Sequence, residues 1–290
     1  MTAAISQPEV NEPLVVSYPD EDAALLLERF REWGYLFLKG GLTAACCSKL
    51  LKQIMAQLGP DIVYDLSQKP TLKGTPVAEC DPLWDRAYPK IQSLEYFHSF
   101  FHMTEVVQLM QLVCGPEVFV YPMKMARIAT PLRIGFETPP HQDAHSHNAP
   151  RNMAGIWVAL HDVCEGMGRL KMLPRSHQHG VRKVFEAQGV GGVQCEIFPD
   201  ENVWHVSDVQ CGDVILFDGC TVHKAEANTS VEDVRISVDT RFCVHGTPVF
   251  STNLHPHHGW RIDELDWDYV YRDWESKDYQ YYWEDYPELF

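Results

Sequence analysis

The chain has 290 residues, 45% hydrophobic and 22% charged, which excludes a disordered, collagen-like or fibrous protein. Lys and Arg total 24 against 40 Asp and Glu, a formal charge of −16, so neither nucleic acid nor an anionic membrane is an expected partner. No run approaches the ~18 apolar residues of a membrane span, and the first ten residues lack a secretory signal, so a cytoplasmic location is expected.

Residues 1–19 are polar and Pro-dotted and read as a loose arm. A helix is predicted from Asp20, as cap, to Trp33, with Leu26, Leu27, Phe30 and Trp33 at helical spacing. Tyr35–Lys39 reads as a short strand closed by Gly40-Gly41. Thr43 is placed to cap a second helix carrying Leu50, Leu51, Ile54 and Leu58. Residues 59–90 show little periodicity and are expected to form a long loop. One or two helices follow over Gln92–Cys114, with Thr104 as a cap and Gly115 as the stop.

From Val118 the pattern changes. Val118–Thr130, Ala154–His161, Arg169–Leu173, Val214–Phe217 and Val234–Val244 read as strands between Gly, Pro, Asn and Asp clusters. Helices first and strands afterwards indicate an α+β fold, mainly β. The whole chain reads as one domain: arm, helical part over 20–115, strand-rich core over 116–250, and an acidic, aromatic tail over 251–290. So many rings in that tail predict that it packs back on the core. The nine cysteines include no CxxC pair and no zinc-finger spacing, so they read as free thiols.

The first chemical signal is His141-Gln142-Asp143. On an extended strand, residues i and i+2 share a face, so an imidazole and a carboxylate can reach one ion. His223, after the apolar run Val214–Phe217, is the candidate third ligand. Two His and one carboxylate leave an open face, the arrangement of non-haem Fe(II) oxygenases. Twelve residues on, Arg235 and Ser237 share one face of a strand. If that face points inward, Arg235 needs an anion, since an unpartnered buried charge is prohibitive. The planar guanidinium suits a carboxylate, so a diacid cosubstrate would satisfy both Arg235 and an open-faced metal. A non-catalytic binding module and a His2Asp zinc hydrolase are the alternatives. The retained Arg235 weighs against both.

On these residues the sequence resembles the phytanoyl-CoA dioxygenase family of Fe(II)/2-oxoglutarate oxygenases, and within it the bacterial terpenoid hydroxylases. The resemblance runs from Arg29 to Val244. It includes Trp33-Gly-Tyr-Leu-Phe-Leu-Lys-Gly, His141-Gln-Asp143, Gly168 to His177, and Gly212-Asp213 through His223 to Asn228-Thr229-Ser230. The strand ending Ile236-Ser-Val-Asp-Thr-Arg241 belongs to it too. Arg175 stands where the family usually has Gly, and Ala225 where it has Ser.

The resemblance implies a double-stranded β-helix, or jelly roll, with helices on one sheet. It implies Fe(II) held by His141, Asp143 and His223, 2-oxoglutarate anchored through its distal carboxylate on Arg235, and O2 as oxidant. Trp157 would lie near the cosubstrate. Arg127, by strand parity with Met123 and Met125, would point in toward it. Ser237 would take over the hydrogen bond that Ala225 lacks. His145 and His147 would line the substrate side or serve as alternative ligands. His255, His257 and His258 fall outside the matched region and read as a surface loop. The reaction implied is oxidation of a small molecule, hydroxylation first, with desaturation, epoxidation or ring formation as the alternatives, and with succinate and CO2 released. With no basic patch for a CoA ester, a small uncharged or amphipathic metabolite is favoured.

Overall fold

The computed structural model describes residues 8–60, 69–149, 152–259, 261 and 263–287. Two sheets face each other as a jelly roll. The larger contains Val16–Ser17 (β2), Tyr35–Leu38 (β3), Val118–Ala129 (β4), Met153–Ala159 (β5), Val214–Asp218 (β10) and Arg235–Val244 (β12), in the order β2-β3-β10-β5-β12-β4. The smaller contains Val10–Glu12 (β1), Leu170–Met172 (β6), Val203–His205 (β9) and His223–Ala225 (β11), in the order β1-β9-β6-β11. Val184–Glu186 (β7) and Val193–Cys195 (β8) form a separate hairpin.

Strand parity sorts the central apolar residues of the large sheet between two cores. Val214 and Leu216 of β10, Ile156 and Val158 of β5, and Ile236 and Val238 of β12 join a helix-facing core. That core contains Leu26 and Phe30 of Ala23–Trp33 (α1) and Leu50 and Ile54 of Ala44–Leu58 (α2). Pro82–Gln92 (α3) adds Trp84 and Ile91, Glu95–Phe100 (α4) adds Phe97, and Thr104–Cys114 (α5) adds Val106 and Met110. The alternate positions Ile215, Phe217, Trp157 and Ala159 face the interior between the sheets. A central sheet covered on both faces reads in sequence as continuous apolar runs. On β12 the inward positions are polar: Arg235, Ser237, Asp239 and Arg241.

Several local expectations need correction. The arm is not loose where it is described: β1 pairs parallel with β9, and β2 with β3. These edge strands are too short to leave a periodic signal. Residues 1–7, and 61–68 of the expected loop, lie outside the described residues. The rest of that loop contains α3, where Pro82 occupies the first turn, a position needing no N–H donor. Asp22, not Asp20, caps α1, accepting from Ala24 N at 2.9 Å and Leu25 N at 3.1 Å. Thr43 makes no side-chain capping bond, and Met103 rather than Thr104 stands at the α5 cap. Among the described residues no helix is long and apolar enough to cross a membrane.

The tail packs as expected. Trp267–Tyr271 (α7) and Trp283 bury their rings against Phe119, Tyr121, Met153 and Cys243. Trp283 lies 5.0 Å from Trp267, centroid to centroid. Trp283→Ala is therefore expected to destabilise the fold by about 3–5 kcal/mol, the range for truncating a buried aromatic. A urea unfolding curve checks this; a loss under about 1 kcal/mol would mean the tail is not part of the cooperative unit.

Candidate active site

Backbone pairing brings the two motifs together. His141 N donates to the His223 carbonyl at 3.0 Å, and His223 N to the His141 carbonyl at 3.0 Å. Gln142 is extended, with φ −122° and ψ 130°. Its side chain turns away from the cluster, donating to the carbonyls of Gly180 at 2.8 Å and Cys220 at 2.6 Å and accepting from Arg182 N at 2.8 Å. Asp143 then opens a single helical turn, Asp143–Ser146 (α6), rather than continuing the expected strand. The extended Gln142 alone is enough to turn His141 and Asp143 to one side.

Asp143 Oδ1 lies 3.7 Å from His141 Nε2 and 3.8 Å from His223 Nε2. Among the described residues this is the group whose donor atoms converge on a metal position, all within 4.8 Å of one another. Each imidazole has its other nitrogen against a backbone carbonyl: His141 Nδ1 to Pro139 O at 2.9 Å, His223 Nδ1 to Thr221 O at 3.0 Å. A carbonyl can only accept, so both Nδ1 atoms carry the proton and both Nε2 lone pairs face the gap. Burial pushes the His141 pKa down to about 3, with His223 adding to the effect, and burial lowers His223 as well, so both stay neutral. For Asp143, burial opposes the charge, but Arg241 foremost and then the histidines hold the carboxyl well below its ordinary range. Neutral imidazoles with an ionised carboxylate are what a divalent cation needs. Phe217 backs His223 at 4.5 Å between ring centroids. It has room because residue 155 is Gly; a Cβ there would sit 2.4 Å from the Phe217 ring.

The far oxygen of Asp143 opens a ladder of alternating charges. Arg241 places Nε 2.5 Å from Oδ2 and Nη2 3.0 Å from Oδ1. Its Nη1 meets Asp239 Oδ2 at 2.6 Å. Asp239 Oδ1 accepts from Arg127 Nε at 3.0 Å, and Arg127 Nη1 stands 3.7 Å from Glu79. Arg235 is outside the ladder. It is buried, donates from Nη1 to Ser237 Oγ at 2.8 Å, and leaves Nε without a hydrogen-bond partner. Among the described residues no carboxylate forms an ion pair with it. Burial lowers its pKa to about 10, so it remains a cation needing an anion.

Three adjoining cavities share Arg127 and Thr138. The innermost, about 410 Å³ of empty space, has His141, His223, Trp157, Arg235 and Ala225 in its wall. The second, about 730 Å³, takes Asp143, His145 and His147. The third, about 600 Å³, is bounded by Glu79, Trp84 and Phe136 and touches Arg235 from the other side. Trp157, Arg127, Ser237, His145 and His147 thus all stand at or beside the cavities. His145 is exposed, whereas His147 is buried and bonded through Nδ1 to Asn253 Oδ1 at 2.7 Å. Neither belongs to the converging metal group.

One expectation changes here. His257 and His258 are buried, not surface residues: His257 bonds Tyr88 Oη at 2.7 Å, and His258 stacks on Trp84. Arg175, the departure from the usual Gly, sits at φ 63°. It is held there by an ion pair with Glu32 at 2.6 Å and by its guanidinium over Trp33. Asp239 and Arg241 are not among the expected site residues, although the parity that places Arg235 and Ser237 puts them on the same face. Nothing local distinguishes Glu79 from other loop acids.

The model of the phytanoyl-CoA dioxygenase (PhyH) family matches residues 30–236. The chain belongs to the phytanoyl-CoA dioxygenase family. As a phytanoyl-CoA dioxygenase family member it is a 2-oxoglutarate-dependent non-haem iron dioxygenase, with the His-x-Asp…His ligand set in place. The 1-deoxypentalenic acid 11-beta-hydroxylase of Streptomyces exfoliatus is 26% identical over 233 residues, covering 74% of this chain and 79% of that one. A phytanoyl-CoA dioxygenase domain-containing protein 1 homolog of Dictyostelium discoideum is 34% identical over 106 residues, 34% of this chain; the match spans 38% of that relative's length. The fold of this family member is similar to that of the epimerase SnoN in complex with Fe3+, alpha ketoglutarate and nogalamycin RO. The TM-score is 0.57 at 18% identity, covering 78% of this chain and 85% of that one. EvdO2 from Micromonospora carbonacea var. aurantiaca, complexed with 2-oxoglutarate, gives 0.56 at 17% identity over 87% and 99%.

Proposed function

We propose that the protein binds Fe(II) through His141, Asp143 and His223 and 2-oxoglutarate against Arg235. With O2 it then oxidises an unactivated C–H bond of a small molecule. Hydroxylation is the expected outcome: substrate, O2 and 2-oxoglutarate become hydroxylated product, succinate and CO2. The observation that carries this reading is Arg235, a buried cation without a carboxylate partner, in the wall of the same cavity as two neutral imidazoles whose lone pairs face it. A zinc hydrolase has no use for such an arginine, and a protein that had abandoned catalysis has no reason to keep it beside an intact ligand set.

Bound Fe(II) and 2-oxoglutarate together supply the activation of O2. The chain's own residues bind and orient. Pro139 and Thr221 carbonyls fix the imidazole tautomers. Ser237 Oγ accepts from the guanidinium of Arg235 and braces it. Trp157, Leu170 and Phe217 supply the apolar part of the inner cavity's wall. Arg241 holds Asp143, so Arg241→Met is expected to weaken divalent-metal binding about 10- to 100-fold, as losing a ligand's support does. Co(II) titration of the metal-free protein reads this; affinity within threefold of wild type would remove Arg241 from that role.

The reading is tested by succinate release from protein supplied with Fe(II), ascorbate and 2-oxoglutarate across a metabolite panel. Substrate-stimulated succinate that depends on Fe(II) is expected. Failure of the metal-loaded protein to bind 2-oxoglutarate at all would overturn the reading.

A further inference from the structure

We propose that Glu79 makes this site select uncharged, hydroxyl-bearing substrates and turn carboxylates away; the inference rests on the oxygenase reading above. The argument is about which cations in the cavities remain available. Arg127 borders all three cavities, so it is the natural partner for a substrate anion. Its charge is already committed, to Asp239 through Nε at 3.0 Å and to Glu79 through Nη1 at 3.7 Å. Arg241 is committed to Asp143 and Asp239. Arg133, at the outer cavity, bonds both oxygens of Asp81, at 2.9 and 2.8 Å. Arg235 is reserved for the cosubstrate.

Glu79 itself is in the opposite condition. Its side chain is 14% exposed, it borders the outer cavity beside Trp84 and Phe136, and its ion pair with Arg127 is long. No hydrogen-bond donor among the described residues reaches its carboxylate, which has room for about four. A substrate hydroxyl entering beside Trp84 would meet an acceptor lacking a donor. A substrate carboxylate would meet a second acid in a partly desolvated wall where burial already pushes the Glu79 pKa up, and the two arginines that offset it, Arg127 and Arg261, are each paired with other acids as well. The positive side of the pocket is thereby matched to metal and cosubstrate, with none left for the substrate.

The test uses the protein loaded with Co(II) and 2-oxoglutarate and two matched probes, cyclohexylmethanol and cyclohexanecarboxylate. Binding is followed by tryptophan fluorescence, since Trp84 and Trp157 line the cavities. The wild type is expected to bind the alcohol at least tenfold more tightly than the acid. Glu79→Gln is expected to improve acid binding at least tenfold and weaken the alcohol several-fold. Adding Arg127→Gln to Glu79→Gln is expected to abolish the gained acid binding. An acid-to-alcohol ratio that Glu79→Gln leaves within threefold of wild type overturns the proposal, as does a wild type that prefers the acid or a Glu79→Gln protein that gains no acid binding. Glu79→Ala carries the same expectation should the Gln variant unfold. Absence of 2-oxoglutarate binding in the wild type, measured first, would overturn the oxygenase reading and this proposal together; intact cosubstrate binding with an unchanged ratio overturns this proposal alone.

Discussion

His223→Ala is expected to end turnover and weaken Fe(II) binding by tenfold or more. A directly coordinating side chain should matter at least as much as one that only supports a ligand, for which losses of 10–100-fold are typical. The fold should survive the change, because what pairs residue 223 with His141 is backbone: both N–H···O bonds are independent of the imidazole. The ring's removal leaves a hole beside Phe217, a modest packing loss that a thermal unfolding curve would register. Iron content and succinate release therefore separate from stability. The assignment falls if iron content and activity survive both His223→Ala and His141→Ala.

Arg235→Ala is expected to raise the apparent KM for 2-oxoglutarate by about 30- to several-thousand-fold, corresponding to roughly 2–5 kcal/mol for losing a charge pair in a buried site. The estimate sits well above that for a surface ion pair because Arg235 is buried, with Ser237 as its side-chain hydrogen-bond partner. Arg235→Lys should recover only part of the loss, since an ammonium cannot bond both carboxylate oxygens in one plane. The Ala variant has one compensating advantage for folding: it removes a buried charge that forms no ion pair with a carboxylate among the described residues. Stability should accordingly hold or rise while cosubstrate affinity collapses. An apparent KM within about threefold of wild type would show that the diacid is anchored elsewhere.

Much of this site was legible in the sequence because strand parity is unforgiving. Alternation in Arg235-Ile-Ser-Val-Asp239 can be satisfied only if one set of side chains enters the helix-facing core, and Ile236 and Val238 do so. His141 and Asp143 were legible for a weaker reason, since one extended residue between them gives the same result as a strand would. What the sequence hid is of two kinds. Short edge strands such as β1 and β11 owe their form to partners far away in the chain, so no local period announces them. Glu79 is the second kind. Its importance comes from Arg127, on β4, and from a cavity that exists only once the sheet and α3 have met. His257 and His258 were misjudged for the same reason: polar residues in a Pro-containing stretch read as surface until Tyr88 and Trp84 arrive to cover them.

The order in which the ladder and its neighbours occur along the chain bears on how the protein is made. Asp143 emerges from the ribosome well before Arg241, and His147 is 106 residues ahead of Asn253, which holds it. At synthesis rates of about 5–20 residues per second, that gap is roughly 5–20 s. For most of it, until His223 emerges, the first two ligands exist without the third, and throughout it the carboxylate is without its guanidinium. A chain truncated before residue 223 lacks the third ligand, and one truncated before residue 241 lacks the guanidinium that holds Asp143. The complete ligand set is thus deferred by topology until the chain has passed residue 223.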